Sequence, residues 1–157
     1  MTTEVTDDRE ESQDGKFLTF LIDGEYYGLD IRHVTEIIGM HDITRVPDVP
    51  AYVRGIINLR GKVIPVMDVR ARFGMAGRDY DARTCIVVIH VRDTEIGLVV
   101  DTVSEVIDIP ETDIEPPPSI GQVCGGFMSG VGKVGDHVKL LLDAHKLLYG
   151  TDASAAA

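Results

Sequence analysis

Apolar positions along this chain come in short bursts, most of them strand-length, separated by dense turn signals. The first burst is Phe17, Leu18, Phe20, Leu21 and Ile22, stopped by Asp23-Gly24 and answered by Tyr26-Tyr27-Gly28-Leu29. Asp-Gly between two apolar runs predicts a hairpin, because both residues tolerate the positive φ of a tight turn. Asp30 can then cap a short helix whose apolar stripe is Ile31, Val34, Ile37 and Ile38, closed by Gly39. The β-branched content of that segment keeps a strand as the competing reading. Pro47 and Pro50 bracket a loop before Tyr52 to Ile57, Asn58-Leu59-Arg60-Gly61 predicts a turn, and Val63 to Met67 the next strand. Pro65 has no N–H to give to a ladder, so this strand is expected to have a free flank there or a bulge.

Thr84 to Val91 and Glu95 to Val100 predict two more strands, joined by a turn around Arg92-Asp93-Thr94. The second is nearly apolar throughout, which implies burial on both faces or a place at a junction. Val103, Val106, Ile107 and Ile109 continue until Pro110, and Pro116-Pro117-Pro118 reads as a stiff extended spacer. Phe127 to Gly132 and Val138 to Leu142 supply late strands. Asp143 then caps a terminal helix that ends at Gly150, with Leu147 and Leu148 facing inward. Many short strands between turn signals indicate a mainly-β barrel or sandwich. The helix–strand alternation of a parallel sheet is missing, and no internal repeat is obvious. The polar, acidic stretch 1–15 and the closing run 151–157 carry too little apolar surface to offset their ordering entropy, and disorder is expected in both.

Composition narrows the function classes. A chain of 157 residues fits one compact domain, or two very small ones sharing a core boundary. Fifteen basic against twenty-six acidic residues give a net charge of −11, which argues against nucleic acid and anionic membrane surfaces as general partners. No run approaches the ~20 apolar residues of a bilayer crossing, and Met1 to Gln13 holds no apolar signal core. A cytoplasmic protein without membrane insertion is the expectation. Cys85, in the run Cys85-Ile86-Val87-Val88-Ile89, reads as a small buried hydrophobe, and Cys124 sits alone in a Gly-rich segment. Neither has a CxxC spacing, which fits a reducing compartment.

The search for chemistry returns little. Metal sites need clustered ligands, whereas His33, His41, His90, His137 and His145 are scattered, and Asp7-Asp8 and Glu10-Glu11 read as a solvated acidic run. Ser104, Ser119 and Ser129 have no histidine near in sequence and no nucleophile-elbow pattern. The glycines of 121–135 lead into a strand rather than a helix, so turns explain them better than a phosphate loop. No cofactor, no metal and no catalytic activity are expected. A binding surface remains. Arg60 on a turn can grip a partner carboxylate with its planar fork, or simply solubilise a hairpin tip, and the same two readings hold for Arg45 and Arg54. Ile31, Val34 and Ile37 are either core or the lining of an exposed groove.

The stretch from Thr44 to Arg70 carries the pattern G-x-x-N-L-R-G-x-x-x-P-x-x-D as Gly55, Asn58-Leu59-Arg60-Gly61, Pro65 and Asp68. Supporting segments are Phe17-Leu18-Thr19-Phe20, Tyr27-Gly28-Leu29-Asp30-Ile31, Glu95 to Asp101, Gly130-Val131-Gly132 and Leu147-Leu148. In these the chain resembles the CheW family of bacterial chemotaxis coupling proteins, over about Lys16 to Tyr149. The resemblance implies a CheW-like domain over 16–150, built as two small five-stranded SH3-like β-barrels packed together with short helices. It implies a non-enzymatic adaptor that links methyl-accepting chemotaxis receptors to the histidine kinase CheA through the kinase's regulatory domain, at the membrane-bound receptor array. A groove between the barrels would take the cytoplasmic tip of a receptor hairpin. By the same resemblance Leu18, Ile31, Val34, Ile37 and Val103 would line it, with Glu36 and Arg60 at its edge. A kinase regulatory domain or a receiver-linked coupler would be expected to carry further domains, so a stand-alone adaptor fits better. A small-ligand-binding β-barrel is the alternative from another class, and it would need a sizeable cavity.

Overall fold

A computed structural model describes residues 14–118 and 126–150. β1 (Lys16–Ile22) and β2 (Glu25–Asp30) form the expected hairpin, with Asp23 and Gly24 at φ 54° and 81° in its turn. The segment after it departs from the helix expectation. Only Ile31–His33 makes one 3-10 turn, capped as foreseen by the Asp30 carboxylate, which accepts from the Arg32 N–H at 2.9 Å. From there the chain extends as β3 (Val34–Gly39), alternately half-buried and exposed. The strand prevails because β6 (Cys85–Val91) offers a full antiparallel partner from Val34↔Ile89 to Gly39↔Cys85, and β-branched side chains suit that pleat.

β4 (Val53–Leu59) and β5 (Lys62–Asp68) pair around the Arg60-Gly61 turn and lead into α1 (Val69–Arg72), a helix of four residues. β7 (Thr94–Val100), β8 (Thr102–Asp108), the two-residue β9 (Ile114–Glu115), β10 (Met128–Val134), β11 (His137–Leu142) and α2 (Ala144–Tyr149) complete the described chain. One sheet has the order β8-β1-β2-β11-β10-β9, the other β3-β6-β7-β5-β4. Each curls into a small barrel, and β9 is a sixth strand beyond the five expected. In the second, an Arg60–Glu36 ion pair ties the β4–β5 turn to β3, although β3 and β4 stand at opposite edges of the strand order.

Two of the strand pairs are parallel although the sequence lacks helix–strand alternation: β2 with β11, and β5 with β7. Pro65 lies on the internal strand β5, opposite Ile56, while the ladder to β7 begins one residue later at Val66; its missing N–H therefore costs no ladder bond on that flank. Close packing of β7 against β6 uses a glycine, because a Cβ on Gly97 would sit 2.7 Å from Ile86 Cγ2.

The two faces of β6 and β7 serve different cores. Ile86, Val88 and Val99 fill the second barrel together with Ile57, Leu59, Ile64 and Val66. Val87, Ile89, Val91, Ile96, Leu98 and Val100 face the other way, onto Leu18, Phe20, Ile22, Tyr27 and Leu29 of the first barrel. This larger cluster is the junction, and it explains the unbroken apolar run of β7 as burial on both faces. Cys85 is a correction: it is half-exposed at the start of β6, opposite a glycine, with its thiol donating to the Arg83 carbonyl at 3.2 Å. The expected disordered ends, apart from Asp14 and Gly15, lie outside the described residues, as do Cys124 and most of the first half of the Gly-rich run. No described helix is long and apolar enough to cross a membrane.

Candidate protein-binding site

Four of the seven residues named from the sequence meet at the barrel junction. Leu18, on β1, is only 2% exposed and sits in the junction core. Ile31, Val34 and Val103 pack against that core while remaining partly exposed, and they come from the 3-10 turn, β3 and β8. Leu18 is thus part of the core, and the other three are partly exposed apolar residues packed on that same core. Val103 and Val34 come from edge strands of their sheets, β8 in one and β3 in the other.

β3 splits the expected stripe. A bulge falls between Val34 and Glu36, where the Thr35 hydroxyl donates to the Val88 carbonyl at 3.1 Å. Val34 contacts the junction core, Ile38 the interior of the second barrel, and Ile37 points outward at 43% exposure. Ile37 therefore joins no cluster, whereas a helix would have stacked it beside Val34.

Glu36 and Arg60 meet directly. Arg60 holds φ 53° in its turn, which carries the guanidinium back over β3 to the Glu36 carboxylate. The Arg60 hydrogen bond, helped by its charge, holds the Glu36 carboxyl below the usual carboxylate range, and Glu36 in turn raises Arg60. A second pair, Lys62 with Glu95, pins the same hairpin to β7. Spacing alone left Arg60 a turn residue of open role; here it is an exposed fork already holding one carboxylate.

Sequence reasoning missed the polar frame behind this surface. Asp68 caps α1, its Oδ1 accepting from the Arg70 N–H at 2.9 Å. That orients Arg70 toward Asp101, with Nε donating to Oδ1 at 2.8 Å and Nη2 to Oδ2 at 2.7 Å. Asp101 also accepts from the Asp23 N–H at 2.8 Å, which fastens the β1–β2 turn of one barrel to the end of β7 in the other. Burial raises the Asp101 carboxyl, but the hydrogen bonds from Arg70 and Asp23 and the charges of Arg70 and Arg78 outweigh it and leave it lowered. Arg72 lies between the Tyr52 and Phe127 rings, 4.3 and 4.5 Å from their centroids, and donates to the carbonyls of Leu147 and Gly150 at the end of α2. Asp68 and Asp101 both stand in the quoted family segments, yet polar residues ending apolar strands were the only signal of this frame. Among the described residues no cluster of histidine, cysteine and carboxylates is arranged to hold a metal ion.

A family model described as the CheW-like domain matches residues 16–152. The chain is 35% identical to the chemotaxis protein CheW of Klebsiella aerogenes over 134 residues, covering 85% of this chain and 81% of that one. It is 38% identical over 105 residues to the chemotaxis protein CheW of Rhizobium meliloti, covering 67% and 68% respectively. The crystal structure of the scaffolding protein TtCheW from Thermoanaerobacter tengcongensis superposes with a TM-score of 0.80 at 38% identity, covering 88% of this chain and 96% of that one. By family match, relatives and fold together, the chain belongs to the CheW family.

Proposed function

We propose that this protein is a non-enzymatic adaptor that couples methyl-accepting chemotaxis receptors to the histidine kinase CheA, in the cytoplasm beneath the receptor array. Relatives of similar length are named as chemotaxis proteins, and a structural neighbour is described as a scaffolding protein. The observation that carries the reading is the junction surface: half-exposed Ile31, Val34 and Val103 packed on the core that holds buried Leu18, with the Glu36–Arg60 pair on the same strand β3 and the neighbouring turn. Such a surface suits a helical hairpin tip, whose apolar side chains lie along the seam and give affinity. A carboxylate on the tip then competes with Glu36 for the Arg60 fork, and this exchange fixes register more than it adds affinity. The regulatory domain of the kinase is the second partner. Both cores are filled by the barrels' own side chains, which disfavours the interior ligand site of a small-ligand-binding barrel.

The test titrates a receptor-tip fragment against the wild type, Val34→Asp and Arg60→Glu. Val34→Asp places a charge on the apolar surface and is expected to lower affinity at least tenfold, with circular dichroism reporting whether the fold survives. Arg60→Glu sets two carboxylates against each other at the rim; it is expected to weaken binding about tenfold while the melting temperature stays nearly unchanged, since exposed pairs contribute little to stability. Full receptor affinity in a folded Arg60→Glu protein would remove Arg60 from the site.

A further inference from the structure

One cavity is not used by the junction site. It has a volume of about 670 Å³ and lies between the loop before β4 and the segment 78–80, sharing no residue with the junction surface. That volume falls within the usual range for small-ligand sites. Its walls are mixed: Arg45, Arg54 and Arg78 with the carboxylates of Asp68 and Asp79 on one hand, Val46, Val49, Pro50 and Tyr80 on the other. In a chain of net charge −11, three guanidiniums against two carboxylates leave this concavity with a positive balance.

The guanidiniums differ in what they have left to give. Arg78 is spent on Asp81 and Asp101, at 2.9 and 3.3 Å. Arg54 reaches the Asp68 carboxylate and the Ala51 carbonyl only at 3.4 Å each, so its donors are weakly engaged. Among the described residues Arg45 makes no hydrogen bond or ion pair, and it is exposed. Its backbone is nevertheless placed by the preceding residue, since Thr44 exchanges two hydrogen bonds of 2.9 Å with Ile56 on β4. Tyr80 is fixed by its hydroxyl, which donates to Asp68 at 2.9 Å, while the residue stays 39% exposed at the cavity. Burial, then the neighbouring Asp68, pushes that phenol up to about 12, so it keeps its proton and adds no negative charge to the cavity.

We propose that this cavity binds a small phosphate ester bearing a planar ring, of mononucleotide size, with Arg45 and Arg54 on the phosphate and Tyr80 with the aliphatic wall against the ring. The planar guanidinium fork matches phosphate oxygens in a way that a point charge does not. A phenol ring fixed by its hydroxyl and the side chains of Val46, Val49 and Pro50 line the same cavity and offer apolar surface to a flat heterocycle. The site gives the adaptor an input separate from its junction surface.

Calorimetric titration of the full chain with AMP and with GMP tests the proposal, with adenosine and inorganic phosphate as half-ligands. At least one nucleotide is expected to bind saturably, and each half-ligand at least tenfold more weakly. Arg45→Ala, at an exposed residue without partners, is expected to keep the wild-type melting temperature and to lose about tenfold in nucleotide affinity, the worth of one charged hydrogen-bonded contact. Val49→Asp, which sets a carboxylate at the cavity rim, is expected to lose at least as much. The proposal is overturned if neither nucleotide binds, if both variants bind as the wild type does, or if inorganic phosphate binds as tightly as the nucleotide. Loss of a protein partner by Arg45→Ala without any nucleotide binding would also overturn it and make the cavity a protein-docking face.

Discussion

Two arginines on a four-residue helix carry much of the polar order of this molecule. Arg70 and Arg72 are 9% and 3% exposed, and an unpaired guanidinium at that depth would be costly. Arg70 is answered by the Asp101 and Asp23 carboxylates, Arg72 by two rings and two carbonyls at the end of α2. Removing one partner should therefore cost more than the pair itself contributes. Solvent still reaches 11% of the Arg70 side chain and 12% of Asp101, so the loss belongs below that of a fully buried pair. Asp101→Asn is expected to destabilise the fold by about 2 kcal/mol, measured by urea unfolding at neutral pH. The pH dependence has a definite sign. Asp101 is held below its ordinary 3.8, so its stabilisation is complete above the unfolded value and fades as pH falls through the folded one. The wild type should thus lose stability on acidification below about pH 4, and Asp101→Asn should lack that part of the slope. Parallel acid melts of the two proteins would expose the opposite outcome.

At the scale of elements, one glycine fixes how the loop carrying Arg45 meets β4. Gly55 has φ 146°, and a Cβ there would lie 2.1 Å from the Thr44 carbonyl oxygen, the acceptor of the Ile56 N–H. Gly55→Ala is expected to cost roughly 2 kcal/mol or more, from backbone strain and the two displaced hydrogen bonds. Gly77→Ala, whose Cβ meets nothing within 4 Å, serves as the near-neutral control in the same denaturant series. Local turn chemistry of this kind was legible in the sequence wherever two residues suffice: Asp23-Gly24, Arg60-Gly61 and Arg92 all hold positive φ at predicted turns. What was not legible depended on distant partners. The spacing of Ile31, Val34, Ile37 and Ile38 satisfies a helix and a strand equally, and only the presence of β6 decides between them. The two parallel pairs join strands that are far apart in the chain or separated by α1 and β6, so no window could show them. α1 is too short for a period to register. At the candidate site the apolar members were named from periodicity and family pattern, but Leu18 was not separable from its half-exposed neighbours, because burial depends on which barrel covers the residue. The cavity went unseen because its three arginines are drawn from two segments more than twenty residues apart.

The whole molecule is two barrels that share one core, clamped at one end by Arg70, Asp101 and Asp23 and stapled at another by Arg72. A junction core of this size discourages the barrels from moving separately, so a partner at the seam meets a surface already in place and little ordering entropy opposes binding. For the proposed adaptor, assembly then turns on joining weak contacts in number. Receptor and kinase become linked only when one copy of the protein engages both, and the linkage gains from effective concentration. Supplying more copies first completes these bridges; beyond the matching point, separate copies occupy receptor and kinase and no bridge forms. Chemotactic response is therefore expected to rise and then fall as expression of this protein is raised against fixed receptor and kinase. The Arg60→Glu protein, weakened at one contact, should need more copies to reach its maximum. A response that climbs to a plateau and stays there would mean that the two partners do not depend on a shared bridge, and the coupling role would fall with it.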